Sequence, residues 1–440
     1  MTLRFGTDGV RGVANVDLTP ELVLALGRAA ARVLRGERFV IGRDTRRSSP
    51  MLEAALTAGL TSEGAHVDLL GVVPTPAVAW LAATEEVPAA MVSASHNPYA
   101  DNGVKLFAAG GLKLSDEVEE ELEAELDRLL HGAVSTSGEV GTVRTRPDAT
   151  EAYEAFLVGT AGRLDGLRVV LDCANGAASV VGPDVLRRAG ATVEVLFAEP
   201  DGVNINEGCG ATNTDAVQRR VVDLGFDLGL ALDGDADRVL AVDHRGRLVD
   251  GDHLIAICAG DLAGRGLLRD DRVVVTVMTN LGFRLAMAER GIEVVETAVG
   301  DRNVLAALDE QHLSLGGEQS GHVIFRDLAT TGDGVLTGLQ LLDAVVRSGR
   351  PLADLADEAM TSLPQVLENV RVPGKAREVV EAVAADVAAV EAELGADGRV
   401  LLRPSGTEPL VRVMVEAPTA DAARAAAARL VAAVESAAGA

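Results

Sequence analysis

Residues 227–238, DLGLALDGDADR, set an apolar run directly against an acidic turn. A strand made from LGLAL carries no polar side chain on either face, so it needs cover on both sides. Other short runs of the same kind follow along the chain: RFVIG (38–42), HVDLLG (66–71), AAMVSAS (89–95), RVVLDCA (168–174), TVEVLF (192–197) and DRVVVTV (271–277). Between them lie Ala/Leu-rich helical patterns such as ELVLALGRAAARVL (21–34). This alternation predicts α/β units with mixed, mostly parallel sheets.

One helix places a boundary. In SDEVEEELEAELDRLL (115–130), Ser115 is the expected N-cap, and Asp116 and Glu117 sit in the first turn, where negative charge is favoured. Val118, Leu122, Leu126, Leu129 and Leu130 form the expected apolar stripe. The polar stretch 131–150 then reads as an exit from a first domain. The partition we read is three similar α/β domains, 1–150, 151–254 and 255–369, and a smaller C-terminal α+β domain, 370–440. That tail has a strand, a loop, a strand and an Ala-rich helix.

Composition narrows the function. Asp and Glu number 66 against 40 Lys and Arg, a formal charge of −26, which repels nucleic acid and anionic membranes. Aromatic residues are 2% of the chain, too few for base stacking. Cys173, Cys209 and Cys258 lie far apart with no CxxC, which fits a reducing cytoplasm better than a disulfide or zinc framework. There is no HExxH spacing, no signal-peptide core and no apolar run near ~18 residues. The expected setting is cytoplasmic, without a nucleic-acid or membrane partner. The sequence leaves the oligomeric state open.

The acidic turn carries the strongest chemistry. Asp233, Asp235 and Asp237 alternate behind the apolar strand. In an extended strand they would stand ~6.5 Å apart, whereas Mg²⁺ gathers its oxygens at about 2.0–2.1 Å from the ion. The segment must therefore curl, and Gly234 and Ala236 are small enough to let it. An EF-hand would need glycine and glutamate where Arg238 and His244 stand. An acidic turn on an acidic protein is the plainer reading, but such carboxylates repel one another without a cation. Arg238 beside them points to an anionic group at the same place.

Other loops add to this one. RPSGTEP (403–409) offers Ser405, Gly406 and Thr407 between Arg403 and Arg412, which suits a phosphate better than an ordinary turn. GGEQSGH (316–322) presents Glu318, Ser320 and His322 in a tight loop suited to sugar hydroxyls. FGTDGVRG (5–12), GRDTRRSS (42–49) and TAVGDR (297–302) are ambiguous alone; taken in isolation, Arg11 and Arg43 read as surface residues. None matches Walker A or GxGxxG. In VSASHNPYADNG (92–103), Ser95 and His96 are neighbours whose side chains diverge, which is poor geometry for a dyad. A metal loop, a phosphate loop, a polyol loop and a serine together point to phosphoryl transfer on a sugar, with Ser95 carrying the phosphate.

The order of FGTDGVRG, SASHNPYADNGVK, LDGDADR, GGEQSGH and RPSGTEPLVRVMVE resembles the α-D-phosphohexomutase superfamily over nearly the whole chain. The resemblance implies four domains around a central cleft and a phosphoserine at Ser95. It implies one Mg²⁺ per chain on Asp233, Asp235, Asp237 and the Ser95 phosphate. It assigns Glu318 and Ser320 to sugar hydroxyls, and Arg403, Ser405, Gly406, Thr407 and Arg412 to the phosphate that is not transferred. Arg11, Lys105, Arg238 and His322 match positions near the transferring group, with the general acid and base left open. Gln319 within GEQSGH is similar to the glucosamine branch. That branch interconverts glucosamine 6-phosphate and glucosamine 1-phosphate through glucosamine 1,6-bisphosphate for cell-wall amino-sugar synthesis. Asn213, Asn303 and Ser49 depart from residues common there. Phosphoglucomutase or phosphomannomutase activity, a silent sugar-phosphate-binding protein and a metal phosphatase stay as alternatives.

Overall fold

The structure is a computed structural model that describes residues 9–132, 138–372, 374, 376–405 and 409–439. Its contacts divide the chain into two compact units, residues 1–278 with 293–359, and residues 279–292 with 360–440.

The first unit holds three mixed sheets. The first sheet orders its strands Val10–Val13, Asp101–Phe107, Ala89–Val92, Arg38–Arg43, His66–Val72 and Val143–Thr145. The second runs Leu248–Val249, Val239–Asp243, Leu228–Leu232, Arg168–Asp172 and Thr192–Leu196. The third runs Glu293–Thr297, Arg272–Thr276, Leu315–Gly317 and Val323–Phe325. The apolar run of the opening motif is the buried strand Leu228–Leu232, second in from one parallel edge.

One arrangement recurs in all three sheets. Ala89–Val92, Leu228–Leu232 and Leu315–Gly317 each pair with a parallel neighbour on one side. On the other side each pairs with its own antiparallel return strand. The loop at each of these turning points is one that the sequence singled out: Ser95, the aspartates and Glu318. The junction where parallel pairing becomes antiparallel therefore carries a candidate loop three times.

Local sequence explains the supporting helices. Pro20–Leu34 begins on Thr19, whose hydroxyl accepts Leu22 N–H at 3.3 Å, with proline at its first position. It crosses Ser49–Thr61 closely because both contact points are glycine. A Cβ at Gly27 would lie 2.4 Å from the Leu56 carbonyl, and one at Gly59 would lie 2.2 Å from the Leu24 carbonyl. Asp116–His131 is capped by Ser115 as expected, and Leu122, Leu126 and Leu129 are buried. Leu130 departs from the expected stripe and is exposed, because the helix turns it past the edge of the contact face.

Asp101–Phe107 is not among the runs that the sequence marks as strands; despite its polar start, DNG, it is a strand buried almost throughout and carries Lys105 into the interior. No described helix is long and apolar enough to cross a membrane.

The second unit packs the antiparallel sheet Gln365–Arg371, Leu410–Glu416 and Arg399–Pro404 against the helix Ala420–Gly439. Val411, Val413, Val415, Leu430 and Val434 form its centre. Glu416 is fully buried and accepts from Asn280 Nδ2, Leu281 N–H and Arg399 Nε at 3.2, 2.9 and 3.0 Å, which fastens the helix Leu281–Glu289 to this sheet.

Candidate active site

The curl required of the acidic turn is present. Ala236 takes a left-handed φ of 58°, and Gly234 lies so close to the serine loop that a Cβ would stand 2.6 Å from the Ser95 carbonyl oxygen. One carboxylate oxygen from each of Asp233, Asp235 and Asp237 lies within 4.8 Å of the other two, and all three residues are buried. Thr75 Oγ1 donates to Asp235 Oδ2 at 2.6 Å, and Lys105 Nζ reaches Asp235 Oδ2 at 2.8 Å and Asp237 Oδ2 at 3.3 Å. Asp235 Oδ1 and Asp237 Oδ1 are buried with no hydrogen-bond partner. Orphaned carboxylate oxygens of this kind are costly unless a cation completes them, so the residues fit a hard divalent ion.

The electrostatics are divided within the turn. Burial, then Asp237 and Asp235, raise the Asp233 carboxyl well above the usual range. Burial also pushes Asp237 up, but Lys105, His322 and Arg238 outweigh it and hold that carboxyl well below the usual range. Burial opposes the Arg238 charge, yet Asp237, Asp233 and Glu318 together raise its pKa.

Ser95 meets this turn. Its Oγ donates to Asp233 Oδ2 at 2.6 Å, whereas His96 Nδ1 is 3.4 Å away. Burial, then Arg238 and Arg11, lower the His96 pKa and keep the ring neutral. The same two cations that press on His96 favour an anionic group at Ser95. Arg11 sits on the strand opposite Gly103, where a Cβ would approach its Cγ to 3.0 Å.

The sugar-type loop joins the same place through backbone. Val239 N–H donates to the Gly321 carbonyl at 3.1 Å, and Gly321 takes a φ of 89°. Glu318 Oε1 accepts Gly300 N–H at 3.1 Å, which ties the TAVGDR loop to it. Ser320 is exposed. The Gln319 amide donates to Asp250 Oδ2 at 3.4 Å.

His322 is buried between Asp237 at 3.8 Å and Asp301 at 3.6 Å. Burial presses it toward neutrality, and the two carboxylates raise its pKa overall. Its Nε2 also accepts Gly332 N–H at 3.0 Å, which requires an unprotonated nitrogen there. That contact fixes the neutral Nδ1–H tautomer, with Nδ1 on the Asp237 side of the ring.

In the second unit, Arg403 and Arg412 are cross-strand partners, and neither has a carboxylate within ion-pair distance among the described residues. Burial and then Arg412 lower the Arg403 pKa. Ser405 N–H donates to the Leu410 carbonyl at 2.9 Å and closes the turn. Gly406 and Thr407 lie outside the described residues, as do Phe5–Asp8 of FGTDGVRG. The facing arginines place two like charges side by side, an arrangement that an anion would relieve.

Sequence reasoning missed Arg46. It weighed Arg43, which pairs with Glu53 at 3.2 Å, whereas Arg46 is fully buried under the serine loop. The neighbouring Asp44 accepts from Arg46, Ser49 and Ser93. Ser49, one of the departures from the branch, thus has a partner in this network. The signal was present in GRDTRRSS, but nothing local distinguishes its arginines. The cysteines are free and buried.

Residues 2–131, 149–246 and 250–363 match the phosphoglucomutase/phosphomannomutase α/β/α domains I, II and III, and residues 367–433 match the C-terminal domain of that family. A phosphoglucosamine mutase from Saccharopolyspora erythraea is 56% identical over 439 residues, covering 98% of this chain and 98% of its own. Among solved structures, a phosphoglucomutase/phosphomannomutase family protein from Burkholderia thailandensis aligns with a TM-score of 0.84 at 24% identity, over 99% of this chain and 98% of that one. An N-acetylphosphoglucosamine mutase from Aspergillus fumigatus, in complex with GlcNAc-6P and magnesium, aligns with a TM-score of 0.70 at 20% identity, over 100% of this chain and 96% of that one.

Proposed function

The chain belongs to the phosphoglucomutase/phosphomannomutase family, and on that premise we propose that it is an isomerase interconverting glucosamine 6-phosphate and glucosamine 1-phosphate through glucosamine 1,6-bisphosphate. The phosphoglucosamine mutase at 56% identity supports the choice of sugar. The observation that carries the chemistry is the Ser95 hydroxyl, 2.6 Å from Asp233 inside a buried carboxylate cluster with orphaned oxygens.

In this reading Ser95 carries the phosphoryl group. The Oγ–P bond breaks as P bonds to the sugar O1, whose proton leaves to a base. The bisphosphate turns around, the bond from P to O6 breaks, and Oγ takes the group back while O6 regains a proton. Asp233, Asp235, Asp237 and the Ser95 phosphate would hold Mg²⁺, which when bound neutralises charge on the transferring group. Lys105, Arg238, Arg11 and His322 flank that group, the first bridging Asp235 and Asp237 and offsetting their mutual repulsion. Glu318 and Ser320 take sugar hydroxyls, and the carboxylate of Glu318 is the stronger acceptor. Arg403, Ser405, Gly406, Thr407 and Arg412 take the phosphate that is not transferred.

The test is phosphopeptide mapping of the purified protein, followed by competition among the 6-phosphates of glucosamine, glucose and mannose. Phosphate on Ser95 and preference for glucosamine are expected. Phosphate on another residue overturns the mechanism, and preference for glucose or mannose overturns the substrate. Steady release of inorganic phosphate would instead mark a phosphatase.

A further inference from the structure

Ser95 has a left-handed backbone, φ 51°, a conformation that a residue with a Cβ rarely adopts. Something must hold it there, because the extended alternative swings Oγ away from the aspartates. Both peptide groups flanking its Cα are held by side chains. Its N–H donates to Ser93 Oγ at 3.0 Å, and Ser93 Oγ donates to the buried Asp44 at 2.7 Å. Its carbonyl accepts from Arg46 Nη2 at 2.8 Å and from Asn206 Nδ2 at 2.9 Å. The same two donors hold the Asn97 carbonyl, at 2.9 and 3.0 Å.

The donor inventory of Arg46 separates it from the phosphate-binding arginines. A guanidinium has five N–H donors. Nε goes to Asp44 at 2.8 Å, Nη1 goes to the carbonyls of Pro98 and Asp101, and Nη2 goes to those of Ser95 and Asn97. Nothing remains to grip a phosphate, and the side chain is fully buried. Asn206 approaches from the loops of the second sheet, also with a left-handed φ of 60°, and its N–H donates to the Ala174 carbonyl at 3.0 Å. The serine loop of one sheet is thus pinned to the sheet that carries the metal turn.

We propose that Arg46 and Asn206 are positioning residues for phosphoryl transfer: by holding the Ser95 carbonyl they fix the left-handed serine backbone that aims Oγ at the Asp233 turn, with and without the phosphate. Arg46 spends its donors, and Asn206 its amide N–H groups, on carbonyls of the serine loop, so their effect should fall on the transfer step and not on substrate binding. The inference rests on the reading of Ser95 as the phosphate carrier.

The experiment begins by mapping the phosphate in the wild type. If Ser95 carries none, the functional reading itself fails and the clamp falls with it. With phospho-Ser95 present in both proteins, Asn206→Ala is compared with wild type in a single turnover onto glucosamine 6-phosphate. A misplaced reacting atom should slow transfer about tenfold or more, with KM within about twofold and Tm unchanged. The ³¹P resonance of the phosphoserine should shift, a readout independent of turnover. Transfer at the wild-type rate, or a loss confined to KM, overturns the proposal while leaving the phosphoserine reading intact. For Arg46→Ala, added guanidinium ion should restore transfer by entering the vacated space, and Arg46→Lys should stay slow because one ammonium cannot span the same carbonyls. If Arg46→Ala fails to fold, the Asn206 comparison decides alone.

Discussion

The acidic turn at 233–238 and the tail turn at 403–412 are both charged connections between strands, yet they handle charge in opposite ways. In the first, the carboxylates are buried and partly answered from within, by Lys105, Arg238, Thr75 and Ser95. What stays unanswered is local: single oxygens of Asp235 and Asp237. In the second, Arg403 and Arg412 face each other across the ladder, half-buried, and no described carboxylate pairs with them. A like-charge pair directly opposite is unfavourable on its own. The first turn leaves a cluster of carboxylate oxygens that a cation would complete; the second leaves positive charge that an anion would balance. On the proposed function, the former would serve transition-state stabilisation and the latter ground-state grip.

The contrast breaks most sharply at Ser95. Ser95→Ala should lower mutase turnover at least about a thousandfold, or ~4 kcal/mol, with an unchanged melting curve. Glucosamine 1,6-bisphosphate should not rescue it, although the same compound should rescue dephosphorylated wild type. Interconversion at a comparable rate would end the assignment.

Asp235→Asn comes next. It leaves Lys105 and the remaining carboxylates in place but removes one charge from the cluster, so activity should fall about a hundredfold and the Mg²⁺ response should move to higher concentration. Relief of like-charge repulsion should leave the metal-free protein at least as stable. The paired measurement is a Mg²⁺ titration of activity beside thermal melting.

Asp333 sharpens the comparison, because it is a buried carboxyl answered by neutral groups alone. It accepts from Tyr153 Oη at 2.6 Å and Leu336 N–H at 2.9 Å, and burial pushes it up from 3.8 to about 6. The folded protein therefore holds this proton more tightly than the unfolded chain. Its stabilising contribution is full below the unfolded pKa and is lost as pH rises through about 6. Asp333→Asn is neutral throughout and should not lose it. Relative to wild type the variant should gain about 1–3 kcal/mol between pH 4 and pH 7, read from denaturation at both pH values. A constant difference would show that the carboxyl is not pushed up by its surroundings.

Arg412→Ala tests the other side. With the facing like charge removed, Arg403 remains, so the loss should be about tenfold. It should appear in KM for the phosphosugar and should weaken with salt, as an exposed charge contact does. A loss carried by kcat would give the tail turn a role in the transfer step.

The smallest effect belongs to Gln319. Its amide already donates to Asp250, beside the start of the helix Gly251–Gly264. Gln319→Ala should change the ratio of kcat/KM between glucosamine and glucose 6-phosphates by about threefold or less. A change of a hundredfold would mean that this amide reads the amino group directly.

The sequence alone determined the α/β class, because an apolar run such as LGLAL can be stable only between two covered faces, and that requirement is written in consecutive residues. It also determined the chemical inventory, since aspartates at alternate positions and arginines flanking Ser-Gly carry their chemistry in side-chain identity. It marked His96 as a poor base for Ser95 because neighbouring side chains usually diverge, whereas the structure brings His96 Nδ1 to 3.4 Å from Ser95 Oγ and gives the shorter contact, 2.6 Å, to Asp233. Tertiary structure decided what local pattern cannot hold. Asp101–Phe107 is a strand because its neighbours in the sheet bury it, despite a polar start. Arg46, not Arg43, goes inward because its carbonyl partners at Ser95 and Asn97 lie 49 and 51 residues away. Ser95 meets Asp233 across 138 residues, and Asn206 meets Ser95 across 111. Hydrophobic periodicity is a property of a segment, whereas a hydrogen bond needs two partners, and the second is chosen by the fold.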